Sequence, residues 1–132
     1  MINVVLDTNV LVSSLLTQGP PAVIADLIAN GKIITVYNDH ILEEYMDVLS
    51  RKKFNFSPMQ IIRLIETITK AGIAVEIQPP STIKMIDDDR VFYDIAVHAG
   101  AWLVTGNIKH FPIQPFIITP AKFLLIYNKA AK

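Results

Sequence analysis

The chain has 132 residues, of which 52% are hydrophobic and 18% are charged. This length fits one domain over residues 1–132, and this composition excludes a disordered chain. Basic and acidic residues number 12 each, so the formal net charge of zero excludes a globally basic coat for nucleic acid. Cysteine is absent, which excludes disulfides, thiolate zinc sites and a cysteine nucleophile.

The sequence contains no uninterrupted apolar run of about 18 residues, the length that a membrane-spanning helix needs. Its apolar N-terminal segment is interrupted by Asp7 and lacks the positive charges that begin a signal peptide. We therefore expect no membrane association and, since cysteine is absent, a cytoplasmic location. Neutral charge with high hydrophobicity leaves little repulsion between molecules, which favours a homo-oligomer or a bound partner.

In the first half of the chain, the apolar pattern predicts strands that alternate with helices. A strand over residues 2–6 leads into a helix that ends near Leu16, with Asp7, Thr8 and Asn9 as its capping segment. The other elements predicted here are a helix over 22–30, a strand over 33–37, a helix from 38 to about 51, and a helix from Ser57 to about Ala71.

The second half continues the alternation. Its predicted elements are a strand over 73–77, a loop at Pro79–Pro80, a helix after Asp87–Asp89 that Gly100 ends, strands over 102–104 and 116–118, and a last helix from Pro120. This order predicts an α/β fold with a parallel sheet of about five strands covered on both faces. Ligands of such sheets bind beyond the carboxyl ends of the strands, so polar residues there are the functional candidates.

Two polar residues directly follow predicted strands. Asp7 follows the first strand and is either a helix N-cap or a carboxylate held at the edge of the sheet. Asn107 follows the fourth strand, where a Gly-Asn pair indicates a turn. The same position can also bring an amide oxygen to the edge of the sheet that carries Asp7.

Acidic residues on two flanking helices are further candidates. Glu44 lies beside an apolar stripe, where a carboxylate needs a partner unless it reaches solvent. The run Asp87–Asp89 is explained in part by compensation of the helix dipole, but its spacing directs at least one member, Asp88 or Asp89, toward the sheet. Asp94 points either into the same crevice or toward Arg90 on the surface.

Several carboxylates in one crevice repel each other unless a cation lies between them. Oxygen ligands favour Mg²⁺ or Mn²⁺ over zinc, and such an ion supports in-line hydrolysis of a phosphodiester. The sequence has no glycine-rich dinucleotide motif, P-loop, GxSxG or HExxH motif. We therefore predict metal-assisted phosphodiester hydrolysis by Asp7, Glu44 and Asp89, with Asn107 at the same edge.

Two small basic clusters are candidates for binding RNA. The first is Arg51–Lys53, which is followed by Phe54 and Phe56, and the second is Lys109 with His110. Lysines with neighbouring aromatic rings bind single-stranded nucleic acid. The alternative for Arg51, Lys52 and Lys53 is a solvated helix end above a small apolar anchor, and for His110 a solvated turn.

Three segments and the helical end together resemble the PIN-domain family. The segments are VVLDTNVLVSSL, ILEEYMDVLSRKKF and DDDRVFYDIAVHAGAWLVTGNIKHFP. The resemblance covers nearly the whole chain and is to the branch that contains the (VapC-like) toxins of prokaryotic toxin–antitoxin systems. It implies a three-layer α/β/α sandwich and a ribonuclease that uses Mg²⁺ or Mn²⁺. It also implies a homodimer and a cognate antitoxin protein as partner.

The resemblance also assigns site residues by position. Asp7 matches the aspartate of the LDTN motif, Glu44 the glutamate of the third predicted helix, and Asp89 the aspartate that precedes the VT motif. Asn107 matches a fourth position that is often aspartate, and its neutral amide implies weaker binding of a second metal ion. The small polar residues that shape the crevice are matched by Thr8, Asn9 and Thr105, and Asp94 can supply missing charge.

Two other functions are consistent with the same residues. A non-catalytic PIN-like module would bind RNA or a protein partner without a metal, an alternative that Asn107 and the zero net charge favour. Phosphatase or flap-nuclease chemistry on DNA would use the same acidic edge. Metal dependence separates the first alternative from a ribonuclease, and a panel of RNA and DNA substrates separates the second.

Overall fold

The computed structural model describes residues 1–76 and 87–130, and the side chains of residues 87 and 88 lie outside the description. The described strands form one parallel five-stranded sheet in the order β3-β2-β1-β4-β5. The strands are β1 (Asn3–Leu6), β2 (Ile34–Tyr37), β3 (Ile73–Ala74), β4 (Trp102–Val104) and β5 (Ile117–Ile118). The predicted parallel sheet of about five strands is confirmed.

Helices connect these strands. They are α1 (Thr8–Leu16), α2 (Pro20–Ala29), α3 (Asp39–Leu49), α4 (Pro58–Lys70), α5 (Asp87–Ala99) and α6 (Pro120–Ala130), with short 3₁₀ turns at Lys52–Phe54 and Ile108–His110. No single helix in residues 1–76 and 87–130 has the length and apolar content to cross a membrane. The pair α1 and α2 reaches that content only across a 99° bend.

Both faces of the sheet are covered. Successive residues of a strand point to opposite faces, and Val4, Val5 and Leu6 of the central strand β1 are all buried. Helix α5 packs across β1, β2 and β4, while α1 and α2 pack together and α2 also contacts α4 and α6. The molecule is therefore the three-layer α/β/α sandwich that the resemblance implied.

Three predicted boundaries were wrong for physical reasons. Helix α2 begins at Pro20 instead of residue 22, because proline is well tolerated at the first helical positions, whose N–H groups have no partner. Helix α5 begins at Asp87, so the three aspartates form its first turn instead of preceding it. Strand β3 ends at Ala74, since it pairs only with β2. The predicted residue 77 and the loop at Pro79–Pro80 lie outside the described residues.

The parallel topology decides which residues can meet. Asp7, Asn38 and Thr105 follow β1, β2 and β4, so all three lie at the carboxyl edge of the sheet. Helices α3 and α5 begin at this edge and run away from it. The 11 residues of α3 rise by roughly 16 Å, so Arg51–Lys53 beyond its end lies near the opposite edge.

Gly72 allows α4 to pack closely against β2. A Cβ at this position would lie 2.7 Å from both Thr35 Oγ1 and Tyr37 Cε1, and would also meet the Ile68 carbonyl oxygen. The buried Thr35 hydroxyl donates to that same carbonyl at 2.6 Å, so the neighbouring groups are fixed by their own hydrogen bond. A glycine at position 72 is therefore required for the close approach of α4 to β2.

Gly72→Ala should therefore lower the free energy of unfolding by about 1–3 kcal/mol, the usual cost of overpacking. Denaturant unfolding of the variant and the wild type measures the loss. Gly19→Ala is the control, because its Cβ would meet only Thr17 Oγ1 at 3.9 Å. Equal stability of Gly72→Ala and the wild type would show that this approach is not tight.

Candidate active site

Asp7 lies at the carboxyl end of the central strand β1. It is 6% exposed, and its backbone N–H donates to the Val104 carbonyl oxygen at 3.0 Å. Asp7 occupies the N-cap position of α1, but its side chain makes no capping hydrogen bond. By contrast, Asn38 follows β2 in the same way and does cap α3, since its Oδ1 accepts the Ile41 N–H at 2.8 Å. Helix capping thus does not account for the Asp7 carboxylate.

Neighbouring polar groups instead fix the carboxylate of Asp7. The Thr105 hydroxyl donates to Asp7 Oδ2 at 2.7 Å, and Asn9 Nδ2 donates to the same oxygen at 2.9 Å. Asn9 Oδ1 in turn accepts the Gly106 N–H at 3.0 Å, and Thr105 Oγ1 accepts the Asn107 N–H at 2.9 Å. Two of these four hydrogen bonds, Thr105 to Asp7 and Gly106 to Asn9, tie the segment after β1 to the loop after β4.

The environment of Asp7 raises its pKa above the ordinary value. The largest cause is burial, which disfavours the charged form. The hydrogen bonds from Thr105, the Thr8 backbone N–H and Asn9 oppose this shift, as does the charge of His110. Burial outweighs them, so the ionised Asp7 lacks full compensation from the described protein groups and is a suitable ligand for a cation.

The structure brings Asp89 and His110 to the same edge. Asp89 is in the first turn of α5, and its side chain is only 15% exposed. His110 Nδ1 lies 3.5 Å from Asp89 Oδ2, and the charge of His110 also acts on Asp7. Two carboxylates and one imidazole therefore share this edge, with Lys109 exposed beside them.

The other predicted site residues have less direct support. Glu44 and Asp94 are half-buried in α3 and α5, and both interact with neighbouring groups of the fold. Asn107 is exposed and precedes the 3₁₀ turn without capping it through its side chain. Within residues 1–76 and 87–130, no three His, Asp or Glu side chains form a group arranged to hold a metal ion. Asp7 and Asp89 are thus the supported pair, while the roles of Glu44, Asp94 and Asn107 stay predictions.

Two observations favour a cation at this pair. The side-chain donors Thr105 and Asn9 both bind Oδ2, and burial of the carboxylate outweighs these two hydrogen bonds and the one from the Thr8 backbone N–H. The hydroxyl of Thr8 is buried and finds no hydrogen-bond partner in the described part of the chain, and a water of a hydrated cation would supply one. Because Mg²⁺ is usually held by one or two carboxylates plus waters and substrate phosphates, this donor set fits such an ion.

Tyr45 is a residue of the site that the sequence interpretation missed. Its side chain is 1% exposed, and its hydroxyl donates to the Leu6 carbonyl oxygen at 2.6 Å, directly before Asp7. Burial and the nearby charge of Asp7 raise the pKa of Tyr45, so the phenol stays a protonated donor. Tyr45 thus positions the end of β1. Tyr45 lies four residues from both Ile41 and Leu49, the other buried residues of α3. This spacing indicates burial but gives no sign of the contact with β1.

The first basic cluster lies apart from the carboxylates. Arg51 is paired with Asp47 at 3.2 Å, and Lys53 Nζ lies 5.1 Å from the centre of the Phe54 ring. Phe54 stacks on Phe56 with ring centres 5.5 Å apart. This geometry matches the solvated helix end above an apolar anchor. An RNA-binding role for Arg51, Lys52 and Lys53 stays a prediction, whereas Lys109 and His110 lie beside the acidic pair.

Comparison with known proteins gives the chain a family context. A model of the PIN domain family matches residues 3–109. The uncharacterized protein MJ1680 of Methanocaldococcus jannaschii is 29% identical over 110 residues, which cover 80% of this chain and 71% of that protein. No solved structure gives a significant match. The family match includes Asp7, Glu44, Asp89 and Asn107, and it ends one residue before His110.

Proposed function

Because the chain belongs to the PIN domain family, whose members are generally nucleases, we propose that it is a metal-dependent endoribonuclease. Its reaction is the hydrolysis of RNA phosphodiester bonds at the carboxyl edge of the sheet. The observation that carries this proposal is the buried Asp7 carboxylate, which does not cap its helix and shares an edge with Asp89. A helix cap or a solvated charge would need neither the burial nor the hydrogen bonds of Asp7.

In this proposal Asp7 and Asp89 would hold Mg²⁺ or Mn²⁺, and Glu44 would be the third ligand, a role that rests on the family resemblance. When bound, such an ion activates water and offsets the charge of the phosphate. Thr105 and Asn9 fix the orientation of the Asp7 carboxylate through Oδ2. Lys109 and His110 attract the phosphate to the same edge. Asn107 adds no negative charge, so a second metal ion binds weakly, unless Asp94 supplies that charge.

The biological setting follows from the family resemblance. The chain is proposed to be the toxin of a toxin–antitoxin pair, to act in the cytoplasm and to form a homodimer. Its partners are then an RNA substrate and a cognate antitoxin protein. The resemblance to the toxin branch in the segment TGNIKHFP supports this setting.

The substrate class is tested with labelled single-stranded RNA, single-stranded DNA and flap DNA, each incubated in Mn²⁺, in EDTA, and in EDTA followed by excess Mn²⁺. We expect cleavage of RNA that EDTA abolishes and Mn²⁺ restores. Faster cleavage of either DNA would contradict the ribonuclease assignment. RNA binding that persists in EDTA, with no cleavage in Mn²⁺, would favour the alternative of a non-catalytic binding module. Asn107 is consistent with that alternative, because its neutral amide stands at a position that is often aspartate in the family.

Thr105→Val tests whether the hydrogen bond to Asp7 matters for function. The variant keeps the shape of the buried side chain but removes the donor to Asp7 Oδ2 and the acceptor of the Asn107 N–H. We expect a loss of RNA cleavage of about 10–100-fold, typical for groups that orient a ligand. Because the hydroxyl lowers the pKa of Asp7, the acid limb of the pH–rate profile should move to higher pH. Thr105→Ser keeps the hydroxyl and should behave like the wild type, and an unmoved acid limb in Thr105→Val would count against this role.

A further inference from the structure

A cavity of about 460 Å³ lies in the loop that follows the carboxylate edge. Its walls include Ile108, Phe111, Ile113 and Ile117, and Lys109 and Gln114 also line it. The loop begins directly after Asn107 and contains His110, which is 3.5 Å from Asp89. The three residues from His110 to Ile113 span at most about 11 Å. Lys109 and Phe111, which line the cavity, are the chain neighbours of His110, so the cavity lies beside the edge that carries the carboxylates.

The lining of this cavity combines apolar walls with a positive charge. Ile113 is fully exposed and Ile108 is 42% exposed, so both present apolar surface to an incoming group. Gln114 is held in place by Tyr93, since its Nε2 lies 3.5 Å from the Tyr93 hydroxyl. None of the described lining residues is acidic. Apolar walls beside a lysine suit a group that joins a flat hydrophobic body to an anion.

We propose that this cavity binds a nucleobase of the RNA substrate next to the scissile phosphate, with Lys109 paired to a backbone phosphate. The inference rests on the proposed function and adds a binding subsite to it. The base packs against Ile108 and Ile113, and Gln114 provides polar contacts at its edge. The cavity volume lies in the range of about 300–1,000 Å³ that is typical of small-ligand sites, so a base with its ribose fits.

An RNA strand fits the cavity better than a peptide segment does. The phosphates of RNA complement Lys109, and the loop that lines the cavity also carries His110, which lies 3.5 Å from Asp89. The apolar walls alone would suit a protein partner equally well, so the positive charge and the position of this loop beside Asp89 decide the choice.

The test compares cleavage of two RNA oligonucleotides that differ only at the two nucleotides that flank the cleavage site. The first is a single-stranded RNA whose cleavage site has been mapped, and the second carries abasic ribose at the nucleotides on either side of that site. The proteins are the wild type, Ile113→Asp and, as a matched control, Leu125→Asp. Leu125 lies on α6, away from the cavity lining, and is 65% exposed. Thermal unfolding of each variant verifies that it is folded.

For the intact RNA, Ile113→Asp should raise KM by about tenfold with little change in kcat, the scale of one base contact. For the abasic RNA, KM should be high already and Ile113→Asp should change it little. Leu125→Asp should match the wild type on both. Equal effects of Ile113→Asp on both RNAs would overturn the base subsite. An unchanged KM would do the same and point to a protein partner instead. Lack of RNA cleavage by the wild type would overturn the proposed function itself.

Discussion

Asp7→Asn should remove most of the RNA cleavage while it makes the protein more stable at neutral pH. The loss of activity should be about 10²–10³-fold, because the variant lacks the negative charge that would hold the cation. The cation, in turn, would offset the negative charge that develops in the transition state. The amide oxygen of asparagine can still accept the hydrogen bonds that Thr105 and Asn9 donate to Oδ2. The variant thus removes the charge and keeps the hydrogen-bond network.

The gain in stability follows from the raised pKa of Asp7. Burial disfavours the ionised form in the folded state, so the wild type loses stability as the pH rises through the folded-state pKa. Asp7→Asn should therefore gain about 0.5–2 kcal/mol at neutral pH, as expected when one locally unfavourable group is removed. The gain should shrink as the pH falls toward 3.8, the ordinary pKa of an aspartate, because Asp7 becomes protonated there.

The measurements are kcat/KM on RNA and thermal unfolding at pH 7 and near pH 4, which is about the ordinary pKa of the group. Asp39→Asn is the matched control, because Asp39 is an exposed carboxylate in the first turn of α3. It should leave both quantities nearly unchanged. If Asp7→Asn kept its activity, Asp7 would not be a metal ligand. If Asp7→Asn lost stability at pH 7, the buried charge of Asp7 would not be unfavourable for the fold.

Asp89→Asn should also reduce RNA cleavage by about 10²–10³-fold, but without a gain in stability. Its Oδ2 lies 3.5 Å from His110 Nδ1, so the substitution removes a favourable contact. It also lies at the N-terminus of α5, where a negative charge stabilises the helix by about 0.3–1 kcal/mol. A small loss of stability is therefore expected from the substitution.

Asp94→Asn on the same helix is the comparison for Asp89→Asn. Asp94 is half-buried and lies more than a turn further along α5. Steady-state cleavage of the same RNA by both variants should show the larger loss for Asp89→Asn. The reverse order would assign the second metal ligand to Asp94.

The sequence predicted the sheet and the position of Asp7 because both depend on local patterns. Short apolar runs such as residues 3–6 are typical of buried parallel strands, and a polar residue after such a run must lie at the carboxyl edge. Asp7 was identified in this way, whereas Asp89 was identified from the run of aspartates at the start of a predicted helix and from the family resemblance. The start of α2 was wrong because its first residues are prolines, and the length of β3 was wrong because this strand pairs only with β2. Apolar periodicity indicates neither feature.

The contacts that hold the site could not be predicted from local pattern. Thr105 and Asp7 are 98 residues apart in sequence, and Tyr45 reaches Leu6 across 39 residues. Such hydrogen bonds depend on how the helices and strands pack, so the sequence alone did not identify Tyr45. The separation of Arg51 from the carboxylates likewise follows from the direction in which α3 runs, which appears only with the topology.

Titration calorimetry of Mn²⁺ at pH 7 with the wild type, Asp7→Asn and Asp39→Asn tests whether Asp7 holds a divalent ion at the carboxyl edge of the sheet. We expect equal binding by the wild type and Asp39→Asn, and binding weakened by at least about tenfold in Asp7→Asn. Equal affinity in all three proteins, or no binding by the folded wild type, would show that Asp7 does not hold such an ion.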